Sequence, residues 1–558
     1  MKRSLVLILS LAAVQASVAQ AQKRATHAAQ DTSGSQAAGL VQFDVSCTAA
    51  ARAEFDRGVT LLHHMTYPRA RDVFERVATI DARCAMAHWG LAMTLFQPLW
   101  PTRPSPAELQ RGWRAVQSAR ALGMPTLRES LLVNAVAAFF ETPESPDYWL
   151  RVRRWQAAMA MAHAAVPSDD EVSVFHALAL LAVAPQNSVS TDNADQAAEL
   201  LVNIYDRRPG HPGAMHYLVH ARDVPGREGR SLPVVRRYDA SAPRNPHALH
   251  MPTHIYTRLG DWDAVISGNR RAADAALEYP AGDSGQFVWD EFPHAIEYLV
   301  YASLQQGADG DAARQLQRLH GTARLQPSFK TAFHLASTSA RFALERHAWR
   351  EAMQLMPRTP ATLDWDRFYW PEAVTWFAKG MGAVHEGDTV ATRVAIDRLQ
   401  FLENAAGTAG EELFARSIRV MRLEVSAWLA HRAGDAVTGV RLMQQAADLE
   451  VVTPKHAVTP APTVPAHELL GDLLMLQQNP GAALAAYERA LSLYPRRFNT
   501  LLGAARAARA AGNSTRARAH YRQLLVVGAH SSRAAVLAEA RVGSSRSGAA
   551  GKVRGTPR

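Results

Sequence analysis

The chain has 558 residues, enough for several domains or one long repeat array, and sets 61 Lys and Arg against 51 Asp and Glu for a formal charge of +10. Two of those charges sit at Lys2 and Arg3, and five sit in an acid-free tail from Arg541. The body is therefore near neutral, which removes the electrostatic case for binding nucleic acid.

The N-terminus reads as an export signal. Lys2 and Arg3 precede an apolar run from Leu5 to Val14 broken only by Ser10, and Ala19-Gln20-Ala21 gives small residues for cleavage after Ala21. The run is short of the roughly 20 residues of a membrane span, so no transmembrane segment is expected. No Cys follows the cleavage site to accept a lipid. These features predict an exported, periplasmic or secreted protein, with residues 1–21 removed. Residues 22–40 are rich in Ala, Gln, Ser and Gly and predict a flexible leader. Cys47 and Cys84 are the only cysteines, 37 residues apart. An oxidising compartment favours their pairing, and two free thiols are the alternative.

From residue 41 to 450 Ala and Leu dominate and no sustained period-2 alternation appears, which predicts helices. Breakers fall at Pro98–Pro106, Pro185–Thr191, Tyr279–Pro293 and Val452–Pro465. The last defines a Pro-rich linker, 451–466, ahead of a C-terminal unit at 467–540. A basic, disordered tail is expected over 541–558.

The body repeats itself. Gly471, Ala483, Tyr487, Ala490 and Pro495 form a pattern that returns 34 residues later as Ala505, Ala517 and Tyr521, and the turn residues Gln478 and Gly512 share that offset. Gly58, Tyr67, Ala70, Phe74 and Ala78 repeat the spacing near the start, and Gly260-Asp261-Trp262-Asp263-Ala264 repeats the turn in the middle. The chain thus resembles the tetratricopeptide repeat (TPR) family, built from 34-residue helix–turn–helix units. The resemblance implies an all-α fold, an α-solenoid whose inner helices line a concave groove for a protein or peptide.

One feature exceeds a generic scaffold. His216 and His220 are four apart, as are His250 and His254, and the two pairs are 34 residues apart. Residues at i and i+4 share a helix face with β-carbons about 5–6 Å apart. One repeat places the second pair on the equivalent helix of the next unit, about 8–10 Å away. Four imidazoles converging there suit zinc or copper. His247 lies one turn before His250, and His294, Glu297 and Tyr301 are expected to face the same groove from the next inner helix. Glu297 is a further ligand or orients a ligand histidine. Pro252 removes a backbone donor, and a kink there would turn His250 from His254. Without metal, the same histidines would line a peptide groove or hydrogen-bond one another.

No catalytic motif is complete. His385-Glu386 and His467-Glu468 lack a second histidine at the zinc-protease spacing, no phosphate-cradling glycine loop appears, and Gly282-Asp283-Ser284-Gly285 has no β-barrel around it. Two functions stand: a scaffold for a protein or peptide, which makes an enzyme the less favoured class, and a metal-binding helical-repeat protein.

Overall fold

The computed structural model describes residues 41–145, 147–184, 191–282 and 285–545. The expected signal, the leader and most of the basic tail lie outside them. Helix Ala534–Ser544 ends inside the stretch expected to be tail.

The described chain is an all-α array of TPR-like helix pairs, and each helix packs chiefly on its neighbours in sequence. The sequence explains the turns. Gly260, Gly387, Gly434 and Gly512 end first helices in the left-handed region, where glycine carries no Cβ penalty. Gln478 takes the same conformation at φ 57°, in register with Gly512. The residue after each is Asp or Asn, and its side chain caps the second helix: Asp261 accepts from Ala264 N–H, Asp388 from Ala391, Asp435 from Thr438, Asn479 from Ala482 and Asn513 from Arg516.

Small residues then let the pairs close. Phe74, on helix Tyr67–Ile80, lies between Gly58 of its own pair and Gly90 of the next helix. Tyr487 lies likewise between Gly471 and Gly503; a Cβ on these glycines would stand 2.6 and 2.5 Å from its ring. This shared aromatic is the contact that stacks one pair on the next. In the segment expected to break at Tyr279–Pro293, Pro280–Ala281 and Phe287–Val288 form a small antiparallel ribbon. Cys47 and Cys84 are disulfide-bonded, with Cα atoms 4.9 Å apart.

The array curls until distant parts touch. Arg103 makes a two-pronged ion pair with Glu411. Trp262 Nε1 donates to the Arg496 carbonyl at 2.9 Å, and Arg497 reaches Glu345 at 2.7 Å and Glu468 at 3.0 Å. The expected linker at 451–466 is not a spacer. Val458, Thr459 and Ala461 are buried, Lys455 pairs with Asp223 at 2.7 Å, and Arg341 donates to the Pro462 carbonyl at 2.7 Å. Its prolines keep it extended without ladder partners, and the buried cation Arg341 satisfies its carbonyls instead.

Candidate metal centre

Five neighbouring helices build the site. Helix Pro212–Arg222 begins with Pro212 behind the cap His211, and carries His216 and His220 one turn apart. Helix Pro246–His250, capped by Asn245, presents His247 and His250. After Met251, helix Pro252–Leu259 presents His254. Helix Glu291–Gln305 contributes His294, Glu297 and Tyr298, and Phe329–Leu344 contributes Lys330, His334, Ser337 and Arg341.

The kink expected at Pro252 does not separate its histidines. Pro252 interrupts the hydrogen-bond ladder, and His254 N–H turns to the Met251 carbonyl at 3.2 Å. Met251 nonetheless keeps helical angles (φ −53°, ψ −42°), so the chain continues its course and His250 and His254 stay one turn apart.

Six imidazoles gather in two sets, His216, His220 and His247, then His250, His254 and His294, with the ligand atoms of each set within 4.8 Å of one another. His216 Nε2 lies 3.2 Å from His220 Nε2 and 3.0 Å from His247 Nε2, and His250 Nε2 lies 3.0 Å from His254 Nε2. The sets adjoin: ring centres of His220 and His254 are 5.6 Å apart and those of His247 and His250 6.2 Å. His220 is partly exposed and the other five are buried.

The outward nitrogens fix the tautomers. His216 Nδ1 faces the His63 carbonyl at 2.5 Å, His247 Nδ1 the Glu291 carboxylate at 3.1 Å, and His254 Nδ1 the Asp223 carboxylate at 2.9 Å. These partners can only accept, so each Nδ1 carries the proton. His250 Nδ1 faces Asn269 Oδ1 at 2.7 Å, and Asn269 is held in that orientation because its Nδ2 donates to the Val265 carbonyl at 2.9 Å. His334 donates from Nδ1 to Glu297 at 2.5 Å, so its Nε2 accepts from His294 Nδ1 at 3.0 Å. In their neutral forms His216, His247, His250, His254 and His294 therefore present bare Nε2 lone pairs. Those of His216 and His247 face each other across 3.0 Å, as do those of His250 and His254. His294 Nε2 is buried with no hydrogen-bond partner.

Two facing lone pairs repel unless a proton or a metal ion lies between them. Protonation is opposed: burial, then the neighbouring imidazoles, hold His216, His250 and His294 well below the ordinary histidine range, and burial lowers His254 to about 4. The carboxylates behind the rings stay charged. Burial pushes Asp223 up, but Lys455 and Arg258 hold it well below its usual value; Lys330 does the same for Glu291, and His334 and Arg341 for Glu297. Imidazoles whose far nitrogens are locked by carboxylates, a carbonyl and an amide are the donor set and supporting shell of a borderline metal, so zinc or copper fits these residues.

His216, His220, His250 and His254 are brought together as the repeat spacing implies. His247 and His294, expected only to line the groove, complete the two sets. Glu297 lies outside both sets: its carboxylate accepts from His334, Ser337 and Arg341, and it reaches His294 only through His334. Tyr301 is not in the site. It lies seven residues beyond His294, about 10 Å along the helix, and its hydroxyl accepts from Arg497 at 3.2 Å. Tyr298 takes that place, 4.6 Å from His250 between ring centres. Sequence reasoning missed Asp223, Asn269, Glu291 and His334. His334 lies 40 residues after His294, off the 34-residue offset that links the two histidine pairs.

A third group, His63, Glu171 and His211, was also missed. Glu171 takes His63 Nε2 and His211 Nε2, each at 2.9 Å; His211 Nδ1 accepts the Ala214 N–H, and His63 Nδ1 meets the Tyr217 hydroxyl at 3.2 Å. Every ring nitrogen is satisfied, so this group is a strut, one that aims the His63 carbonyl at His216.

No protein-family model matches the chain, and no curated protein matches it. Among solved structures it is similar to a tetratricopeptide repeat protein from Parabacteroides merdae, at 13% identity and a TM-score of 0.28 over 54% of this chain and 99% of that one. It is also similar to the APC/C hetero-tetramer Cut9–Hcn1, at 13% identity and a TM-score of 0.28 over 88% and 96%. Overlaps that low decide nothing; the TPR-like fold rests on the turns and shared aromatics above.

Proposed function

We propose that the chain is a metalloprotein that holds a pair of zinc or copper ions in its helical array, one ion on His216, His220 and His247 and the other on His250, His254 and His294. The carrying observation is the two pairs of Nε2 atoms facing each other at 3.0 Å, with the Nδ1 atoms behind them committed to acceptors. Three imidazoles leave coordination positions open, so a bound ion would supply Lewis-acid chemistry and, for copper, electron transfer. The residues of the chain orient the rings and, through Trp100 at 5.0 Å from His247, shield them from water.

An oxidising, extracytoplasmic location is part of the same proposal, supported by the N-terminal signal pattern and the Cys47–Cys84 bond. A protein or peptide partner is a second reading, favoured by the TPR-like fold. Its seat is not the histidine wall, which is packed against Trp100 and behind the Lys455 segment. Anomalous diffraction from crystals grown with zinc or copper tests the metal reading. Two peaks among the six imidazoles are expected; none there would overturn it.

A further inference from the structure

Where the C-terminal repeats close onto the middle of the array, they leave a cavity of about 420 Å³. That volume is in the range of ligand pockets, about 300–1,000 Å³. Four rings stand in a row along one wall. His347 stacks on Trp349 with ring centres 5.1 Å apart, Trp349 on His385 at 3.8 Å, and His385 meets Trp428 at 4.4 Å. Met381, Leu469 and Leu476 add an aliphatic wall, and Leu476, 59% exposed, stands at the mouth. Burial holds His347 below the ordinary histidine range and lowers His385 to about 4, so neither ring brings a charge at neutral pH.

Three carboxylates line the cavity, Glu345, Glu468 and Asp472, with one guanidinium between them: Arg497, behind the wall, serves both Glu345 and Glu468. Arg506 lines the cavity too, but is committed to Glu539, which Arg509 also reaches. Arg533 is paired with Asp309, and Arg432, near His385, is exposed and outside the lining. Asp472 is left over. It is partly exposed, it accepts the Tyr487 hydroxyl at 2.6 Å on Oδ1, and among the described residues no cation pairs with it. Burial, then Glu468, push it up to about 7, as happens to a carboxyl short of a counter-charge. A second group also lacks a partner. Trp428 is 7% exposed, and its Nε1 is buried with no acceptor.

A neutral occupant would leave Asp472 uncompensated, and an anion would be repelled by it and by Glu468. A cation on an apolar stem gives the acid its counter-charge and covers the stem on the wall. With one oxygen free, Asp472 suits the point charge of a lysine better than the fork of an arginine. The Trp428 N–H calls for an acceptor as well, which a lysine within a peptide brings in its backbone carbonyl. Deepening the second reading above, a protein or peptide partner, we propose that this cavity seats a lysine side chain of a peptide segment, with its ammonium on Asp472, its stem along Met381, Leu469 and Leu476, and a backbone carbonyl on Trp428.

Calorimetry on the full chain tests this, with capped Ala-Lys-Ala, capped Ala-norleucine-Ala and butylamine as probes. The lysine peptide is expected to bind at least about tenfold more tightly than either of the others. Its binding should tighten from pH 6 to pH 8, by up to about tenfold, as Asp472 ionises. Of the groups around Asp472, Glu468 is paired with Arg497, Tyr487 is pushed up and keeps its proton, and His347 and His385 stay neutral over that range. Asp472→Asn, which keeps an oxygen for Tyr487, weakens the lysine peptide about tenfold and removes the pH dependence. Leu476→Arg, at an exposed position, sets a cation of the chain at the mouth and abolishes binding; it decides the matter should Asp472→Asn not fold. A chain that ignores the lysine peptide, or binds it unchanged in Asp472→Asn, overturns the proposal. Equal binding of the norleucine peptide overturns the cation site and keeps a peptide partner, whereas equal binding of butylamine keeps the cation site and overturns the peptide.

Discussion

At the scale of single residues, two chemistries decide what this interior is. Around the imidazoles, every acceptor behind an Nδ1 adds to the basicity of the Nε2 in front. Removing one such acceptor typically costs 10–100-fold in metal affinity. Glu297→Gln is therefore expected to weaken metal binding by about that factor at the set containing His294, which it supports through His334, and to leave the His216 set alone; competition titration against a chelator reads both. Away from them, Glu450 makes stability fall with pH. Its folded value, about 8, lies above the ordinary 4.5, so between those values the folded chain holds a proton that the unfolded chain releases. The contribution of this one group is full below pH 4.5 and declines toward pH 8, by an amount on the order of a few kcal/mol. Glu450→Gln should flatten that decline, raising Tm at pH 8 more than at pH 5; equal Tm changes at the two pH values would contradict it. The histidine pairs were legible in sequence because i, i+4 spacing and a one-repeat offset are periodic signals. Asp223, Asn269 and Glu291 were not, because a partner supplied by a turn or a neighbouring helix follows no period. Tyr301 was misplaced by counting face without counting rise along the axis.

At the scale of elements, the repeats were readable where small residues and turn chemistry coincide. Gly58 against Phe74 and Gly471 against Tyr487 are sequence signals with one physical meaning, an aromatic packed where no Cβ fits. Gly58→Ala would place its Cβ 2.7 Å from the Phe74 ring and should cost about 1–3 kcal/mol by overpacking, seen as a lower Tm. An unchanged Tm would mean that the ring moves freely. Pro252 shows where local reasoning stops. A missing donor predicts a break, yet the packing of helices Pro246–His250 and Pro252–Leu259 on Trp262–Leu277 holds the two segments in line.

At the scale of the whole molecule, the array is closed by contacts between residues hundreds of positions apart. These left no periodic trace, and the Pro-rich stretch at 451–466 looked like a spacer because prolines mark both linkers and extended interior chain. Arg497, fully buried between Glu345, Glu468 and Tyr301, joins the last repeats to the middle of the array. Arg497→Ala strands two buried carboxylates and should cost about 3–5 kcal/mol. Calorimetry of the unmodified chain should then show one cooperative transition, where a true linker would give two.

Elemental analysis of the untagged full chain, loaded with zinc or copper and freed of excess metal, tests the central claim most directly. About two ions per chain are expected, falling to about one in His216→Ala/His247→Ala and about one in His250→Ala/His294→Ala. A folded chain that retains no metal, or one whose metal content ignores both double variants, would contradict the account.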